Sequence, residues 1–161
     1  MNEIRVQINS IEEMHRLANL ITNFARPNQV IALNGDLGAG KTTFTKGIGQ
    51  ALEIKRVINS PTFTIMKIYD AVNKINGIQK LYHLDVYRLQ NSEDDFELEE
   101  YFYLQGLTII EWATIIEDIL PSDTWNINIY RLTDTSRIVE FENVPKNLLE
   151  AIGEQYEIIN R

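Results

Sequence analysis

The spacing of hydrophobic and polar residues over the first fifty positions predicts a helix followed by a strand, a loop and a second helix. Apolar residues recur at helical spacing from Ile11 to Ala25, and Ser-Ile-Glu-Glu at positions 10–13 is a capping box that predicts where this helix begins. The continuously apolar run Val30–Leu33 is typical of a strand covered on both faces. A glycine-rich turn follows it, and helical spacing resumes from Lys41 to Leu52.

The rest of the chain predicts further strands and helices in alternating order. Segments rich in β-branched and aromatic residues predict strands at 62–69, 80–87, 107–110, 125–130 and 137–141. Helices are predicted at 92–103, 112–120 and 146–152, the second of them ended by a proline. A polar turn region at 73–77 favours a hairpin between the first two of these strands. Together the elements predict an α/β three-layer sandwich with a mixed, mainly parallel sheet.

Length and composition limit the class of protein. At 161 residues the chain has the size of one domain, so we expect a single domain over residues 1–161. Hydrophobic residues make up 44% and charged residues 24%, which is typical of a folded, water-soluble protein. The 23 acidic against 15 basic residues disfavour a stand-alone binder of nucleic acid or of membrane surfaces.

The chain has no cysteine, which excludes a disulfide framework and a thiolate metal site. Its first residues lack the apolar run of a signal peptide, and no apolar stretch approaches the roughly 18 residues of a membrane span. We therefore expect a cytoplasmic protein that does not engage the membrane.

The strongest chemical signal is a phosphate-binding loop between the apolar strand and the following helix. Residues 35–42, Gly-Asp-Leu-Gly-Ala-Gly-Lys-Thr, fit G-x-x-x-x-G-K-[ST] in the strand-to-helix setting that this motif requires. The glycines let backbone N–H groups face an anion, and the start of the helix adds its positive dipole end. A glycine-rich turn that only packs a strand on a helix is the alternative, which the flanking pattern disfavours. The predicted nucleotide-binding residues are Gly35, Asp36, Leu37, Gly38, Ala39, Gly40, Lys41, Thr42 and Thr43.

Within this loop, Lys41 supplies a charge for the β- and γ-phosphates, and Thr42 offers a hydroxyl oxygen to a Mg²⁺ ion that bridges them. Guanine-specific switch proteins usually carry an N-K-x-D segment, whereas residues 73–76 read Asn-Lys-Ile-Asn and lack the acid. The expected cofactors are therefore ATP and Mg²⁺.

Two carboxylates could complete the site, since Mg²⁺ prefers hard oxygen ligands. Asp85 and Glu111 each end an apolar strand, and in a parallel arrangement both reach the ligand-bearing edge of the sheet. One would hold metal and one would orient water, but the sequence does not assign the roles, and a strand-end carboxylate that only meets solvent looks the same. Period-two geometry puts His83 on the face of Asp85, where we expect a supporting role.

Four motifs taken together resemble one family. They are the loop at 35–43, Ser-Pro-Thr-Phe at 60–63, His-Leu-Asp-Val-Tyr-Arg at 83–88 and Ile-Glu-Trp at 110–112. The set is similar to TsaE, formerly YjeE, a family of bacterial P-loop ATPases required to form N6-threonylcarbamoyladenosine at position 37 of tRNAs that read codons beginning with A.

The resemblance implies a P-loop NTPase-like fold with catalytic candidates Asp85, Glu111 and Thr62, the last in a switch-like element near the γ-phosphate. It implies metal binding by Thr42, Asp85 and Glu111. From the residues alone, a plain strand-entry turn would also explain Thr62, and an ordinary core aromatic would explain Trp112, which the family favours as a functional position.

The resemblance further implies partners TsaB and TsaD, with TsaD performing the transfer and tRNA contacted only through the complex. One alternative is a small P-loop kinase, although its lid normally supplies clustered arginines and those of this chain are scattered. A nucleotide-dependent binding module with incidental hydrolysis is the other alternative, and the sequence leaves it open.

Overall fold

The computed structural model describes residues 3–36, 38–61, 66–87 and 95–159. Within these ranges it contains a seven-stranded sheet and three α-helices. The strands are β1 (Glu3–Ile8), β2 (Val30–Asn34), β3 (Met66–Asp70), β4 (Lys80–Asp85), β5 (Leu107–Glu111), β6 (Trp125–Arg131) and β7 (Arg137–Glu142). The helices are α1 (Ile11–Phe24), α2 (Lys41–Ala51) and α3 (Lys146–Gln155), and shorter 3-10 segments cover Ile75–Gly77, Asp95–Tyr103 and Ala113–Ile119.

The strands lie in the order β1-β7-β6-β2-β5-β4-β3. β2 pairs in parallel with β5 and β6, and β4 pairs in parallel with β5, so four parallel strands form the centre of the sheet. β3 is antiparallel to β4, and β7 is antiparallel to both β6 and β1. Five of the seven strands therefore run in one direction, which confirms the predicted mixed, mainly parallel sheet.

Two apolar layers cover the sheet. On one face, α1 and α2 pack with α3 over the odd-numbered positions of β5, including Leu107 and Ile109. On the other face, Leu98, Phe102 and Ile116 from the 3-10 segments cover the opposite side chains, including Ile110. Because both faces are covered, the central strands are continuously apolar rather than alternating.

The beginning of α1 confirms the predicted capping interaction in part. The Ser10 hydroxyl accepts the Glu13 N–H at 3.1 Å, as a capping box requires. The returning bond differs, because the Glu13 carboxylate accepts the N–H of Asn9 at 2.9 Å instead of that of the cap residue. α1 ends at Phe24, three residues before Pro27.

Several predicted elements differ in extent or type. The predicted strand at 62–69 is observed from Met66 onward, with residues 62–65 outside the described ranges, and its hairpin with β4 is confirmed. The predicted helices at 92–103 and 112–120 are 3-10 segments where they are described, as is common in connections between longer elements, and the second is interrupted by non-helical dihedral angles at Ile116. Trp112, expected as a helical residue, has φ +63° and precedes the segment.

β1 has no counterpart among the predicted elements. It lies at the edge of the sheet and pairs along its length with β7, so its pairing comes from the far end of the chain. In the part of the chain described here, no helix is long and apolar enough to cross a membrane.

Candidate functional site

The predicted phosphate loop connects β2 to α2 at the carboxyl end of the central strands. Gly35 comes directly after β2 in the chain and lies close to β6. A Cβ atom at this position would be 2.7 Å from the carbonyl oxygen of Ile129. Gly40 has φ +116° and immediately precedes α2, a conformation that favours glycine. Since Gly40 has no side chain to cap the helix, the first amides of α2 are offered to an anion.

The two predicted carboxylates lie side by side. Asp85 and Glu111 end β4 and β5, and the strand register pairs them directly. Both are buried, and β5 lies next to β2, which leads into the loop. The arrangement places both acids at the sheet edge that the sequence predicted, with Glu111 on the strand nearer the loop.

The loop and the carboxylates border one open cleft of about 730 Å³. Its lining combines seven predicted site residues with Ser60, Tyr87, Trp112 and Arg137. The lining residues are Gly38, Gly40, Lys41, Thr42, Thr43, Ser60, Asp85, Tyr87, Glu111, Trp112 and Arg137.

Glu111 is held between two nitrogen groups. The Lys41 Nζ lies 3.5 Å from one carboxylate oxygen, and the His83 Nε2 lies 2.8 Å from the other. Burial acts to raise the pKa of Glu111, but the hydrogen bond with His83 and the charge of Lys41 outweigh it and hold that pKa below its ordinary value. Glu111 is therefore an anion at neutral pH with both oxygens engaged.

Asp85 has a different environment. Its Oδ1 accepts the backbone N–H of Tyr87 at 3.1 Å, and among the described residues its carboxylate takes part in no ion pair. His83 and Asp85 lie on the same face of β4, as predicted, but they have different partners. His83 contacts Glu111 on the neighbouring strand β5, and Asp85 accepts a backbone N–H from the residues that follow β4. Asp85 therefore keeps oxygen lone pairs available for a ligand, whereas both carboxylate oxygens of Glu111 already have partners.

Two aromatic rings border the cleft on its outer side. The rings of Tyr87 and Trp112 pack with their centroids 4.9 Å apart, and 50% and 45% of these residues remain exposed. The Lys41 Nζ lies 5.5 Å from the centre of the Trp112 ring, within the range of a cation–π contact. Trp112 is thus neither a core aromatic nor a remote surface residue, since it lies beside the loop lysine.

Arg137, at the start of β7, is a site residue that the sequence interpretation missed. Its Nε donates to the carbonyl oxygen of Ala39 at 2.7 Å, which ties the β6–β7 turn to the phosphate loop. Only the pairing of β7 with β6 brings this arginine to the loop, so no local motif marks it. The one available signal was an arginine at the start of a predicted strand.

A second cleft, of about 370 Å³, adjoins the first. The two share Gly40, Thr43 and Arg137, and the second continues along the start of α1 past Ser10 and Met14. The phosphate loop therefore lies between two connected openings, one on the carboxylate side and one on the α1 side.

The remaining predicted residues divide into three groups. Thr42 and Thr43 line the cleft, while Gly35 and the buried Ala39 pack into the fold beneath the loop. Asp36 is exposed, and its carbonyl oxygen accepts the N–H of Ala39 at 3.0 Å. Leu37 and Thr62 lie outside the described residues.

The donor atoms of the cleft suit a metal ion that is held partly by the protein and partly by phosphate and water. Within the described ranges, no group of three or more His, Asp or Glu side chains is placed to enclose a metal ion. The cleft instead offers hydroxyl oxygens, that of Thr42 among them, and two carboxylates beside a loop suited to phosphate. These hard oxygen donors fit Mg²⁺, which usually takes one or two carboxylates and completes its shell with water and phosphate oxygens.

The chain is similar to proteins of one family. A family model described as threonylcarbamoyl adenosine biosynthesis protein TsaE matches residues 8–139. The "tRNA threonylcarbamoyladenosine biosynthesis protein TsaE" of Bacillus subtilis is 42% identical over 159 residues, covering 99% of this chain and 92% of that protein. The protein of the same name from Treponema pallidum is 36% identical over 130 residues, covering 80% of this chain and 92% of that protein.

The fold is similar to a solved structure as well. The crystal structure of YdiB from Bacillus subtilis superposes with a TM-score of 0.75, at 38% sequence identity and with 95% of each chain covered. The similarity therefore extends over nearly the whole length of both chains.

Proposed function

The chain belongs to the TsaE family, and from that premise we propose that it binds and hydrolyses ATP with Mg²⁺ in the formation of N6-threonylcarbamoyladenosine in tRNA. The observation that supports this function most is the convergence of Lys41, Asp85 and Glu111 on one cleft beside the phosphate loop. A strand-to-helix glycine turn without such acids would bind an anion but would offer nothing for a metal or a water molecule.

The loop residues have distinct tasks in this proposal. The amides at the start of α2 and the ammonium of Lys41 bind the β- and γ-phosphates, and Thr42 faces the cleft with a hydroxyl oxygen. When bound, Mg²⁺ would neutralise charge that develops on the phosphate oxygens. The second cleft continues from Gly40 toward Met14, so it is the side on which we place the base and ribose.

The contacts of the two carboxylates separate their proposed roles. Asp85 faces the cleft without an ion-pair partner among the described residues, so we assign it to the metal side. Glu111 is an anion with its orientation fixed by His83 and Lys41, which suits a residue that orients a water molecule. Thr62 belongs to the same proposal by resemblance, as a catalytic residue near the γ-phosphate.

We place this chain in a larger assembly, with TsaD and TsaB as partners and tRNA contacted indirectly through them. In this scheme TsaD transfers the threonylcarbamoyl group, and cycles of ATP binding and hydrolysis by this chain support its turnover. The exposed Tyr87–Trp112 pair beside Lys41 is a surface on which a partner could influence hydrolysis.

Nucleotide titration and phosphate release test the proposed ATPase. Lys41→Ala should weaken ATP binding by about tenfold or more and reduce hydrolysis, because it removes the charge that faces the phosphates. Lys46→Ala is the matched control, since Lys46 lies on the same helix, is exposed and lines neither of the two clefts. Equal ATP affinity and turnover in wild type and Lys41→Ala, with both folded by circular dichroism, would contradict the function.

The same measurements test the carboxylates. Asp85→Asn and Glu111→Gln keep side-chain size and remove a charge, so each should impair Mg²⁺-dependent phosphate release. Mg²⁺ titrations of phosphate release that match wild type in both variants would show that the acids are structural.

A kinase and an incidental hydrolase are distinguished by reconstitution. tRNA modification is measured with TsaB and TsaD, with and without this chain, using ATP or a non-hydrolysable analogue. An obligatory ATPase supports multiple turnovers with ATP alone, whereas a nucleotide-dependent binding module works equally with the analogue. Transfer of the γ-phosphate to a nucleoside or metabolite instead of water would identify a kinase.

A further inference from the structure

The side chain of Arg137 donates four hydrogen bonds to described residues, each to a backbone carbonyl oxygen. Its Nε donates to Ala39 at 2.7 Å and its NH2 group to Gly38 at 3.3 Å, so one edge of the guanidinium bonds to the phosphate loop. Its NH1 group donates to Thr133 at 2.8 Å and to Ser136 at 2.9 Å, both in the β6–β7 turn. One side chain therefore connects two segments that lie almost a hundred residues apart.

The direction of these bonds matters for phosphate binding. The C=O and N–H groups of a trans peptide point in opposite directions. When the guanidinium holds the carbonyl oxygens of Gly38 and Ala39, the N–H group of Gly40 is directed away from it, whereas the N–H group of Ala39 donates to the carbonyl oxygen of Asp36 within the loop. A loop that turns its carbonyl oxygens toward an anion repels it, so a cation that holds those oxygens prepares the loop for phosphate.

The position of Arg137 is not explained by pairing with a carboxylate. No ion pair of the described residues includes it, although it is only partly exposed. Among the described residues, its hydrogen-bond partners are carbonyl oxygens, and they engage four of its five N–H donors. Because its donors are committed, it is poorly placed to reach across the cleft to a reacting phosphate.

We propose that Arg137 is a positioning residue that fixes the phosphate loop to the β6–β7 turn and so preorganises the loop for the phosphates of a nucleotide. The proposal rests on the proposed function for the identity of the ligand, but the loop contacts stand without it. It also makes the β6–β7 turn part of the nucleotide site, since a displacement of the turn would change the loop.

Hydrogen–deuterium exchange and nucleotide titration of the full chain test this role. Arg137→Lys keeps the charge, but a single ammonium cannot span carbonyl groups of two segments, and Arg137→Gln removes the charge as well. Both should increase exchange at residues 38–44 by about tenfold and raise the Kd for ATP by a similar factor, while exchange of the central strands stays as in wild type. Arg131→Gln is the control, because this exposed arginine lies in the same hairpin and contacts Asp134 rather than the loop.

The exchange measurement is made without nucleotide, which separates the two proposals. If wild type binds no ATP but both Arg137 variants loosen residues 38–44, the loop role stands and the proposed function fails. If exchange at the loop is the same in wild type and Arg137→Lys, or if Arg131→Gln has an equal effect, the positioning role is overturned. A general rise in exchange over all strands would also overturn it, because that result indicates a role in stability alone.

Discussion

His83 lies beneath the site with its side chain completely buried, and its Nε2 is 2.8 Å from a carboxylate oxygen of Glu111. Replacing it by leucine keeps an apolar side chain of comparable size and removes the hydrogen bond. We expect His83→Leu to lower both the stability of the chain and its rate of ATP hydrolysis. Glu111 would keep Lys41 as a neighbour at 3.5 Å but would lose the contact that orients its second oxygen.

The magnitude follows from two opposing effects. A hydrogen bond to a charged group contributes about 1.5–3 kcal/mol to the free energy of unfolding, and this loss is felt in full because the carboxylate stays buried. Leucine also removes the imidazole Nδ1, which is buried and has no hydrogen-bond partner among the described residues. Removing this unsatisfied polar atom raises the free energy of unfolding by about 1 kcal/mol and so offsets part of the loss. The expected net destabilisation is therefore about 0.5–2 kcal/mol.

His83→Gln is the matched variant, because the Nε2 of glutamine can donate from about the same place as the Nε2 of histidine. Urea unfolding at pH 7 should show His83→Gln more stable than His83→Leu by about 1 kcal/mol, and its phosphate release should be closer to wild type. Equal loss of stability and of turnover in both variants would refute the reasoning, since the donor would then make no difference.

Two further substitutions test the fold around the site. Gly35→Ala should lower the free energy of unfolding in urea by about 1–3 kcal/mol, because the added Cβ would lie 2.7 Å from the carbonyl oxygen of Ile129. Gly153→Ala is the control and should lower it less, because its Cβ would meet a flexible side-chain atom of Ile158 at 3.2 Å. Equal losses of stability in the two variants would contradict this reasoning. Burial acts to raise the pKa of Glu140, but bonds from Asn128 and Arg5 lower it overall, so Glu140→Gln should cost about 1 kcal/mol at neutral pH. The difference should vanish as the pH falls through that lowered pKa, and a constant difference down to about pH 3 would exclude the ionic contribution.

Local sequence signals predicted the parts of the site that depend on neighbours in the chain. The Ser10 cap and the phosphate loop are each specified within a few residues, so their positions could be predicted before any tertiary arrangement. Asp85 and Glu111 each end a run of apolar residues, and parallel pairing of β4 with β5 then brings them together. Their proximity is predictable because strand ends in a parallel sheet share one edge.

The features that escaped prediction depend on distant pairing. β1 pairs along its length with β7 and forms a bridge with Ile158 at Val6, so its pairing partners all lie more than a hundred positions away in the sequence. Arg137 reaches the loop because β7 returns antiparallel to β6, a register that no local pattern specifies. The positive φ of Trp112 is likewise imposed by its surroundings, since a bulky aromatic residue does not favour that conformation by itself.

The contacts of Lys41 determine how its substitution must be interpreted. Lys41→Ala removes a charge that faces phosphate, but it also removes a neighbour of Glu111 at 3.5 Å and thereby one cause of the lowered pKa of that acid. A double-mutant cycle with Glu111→Gln separates the two effects. If Lys41 binds phosphate directly, its removal should weaken ATP affinity to a similar extent whether residue 111 is glutamate or glutamine. Loss of that effect in the Glu111→Gln background would show that the lysine acts only through the carboxylate.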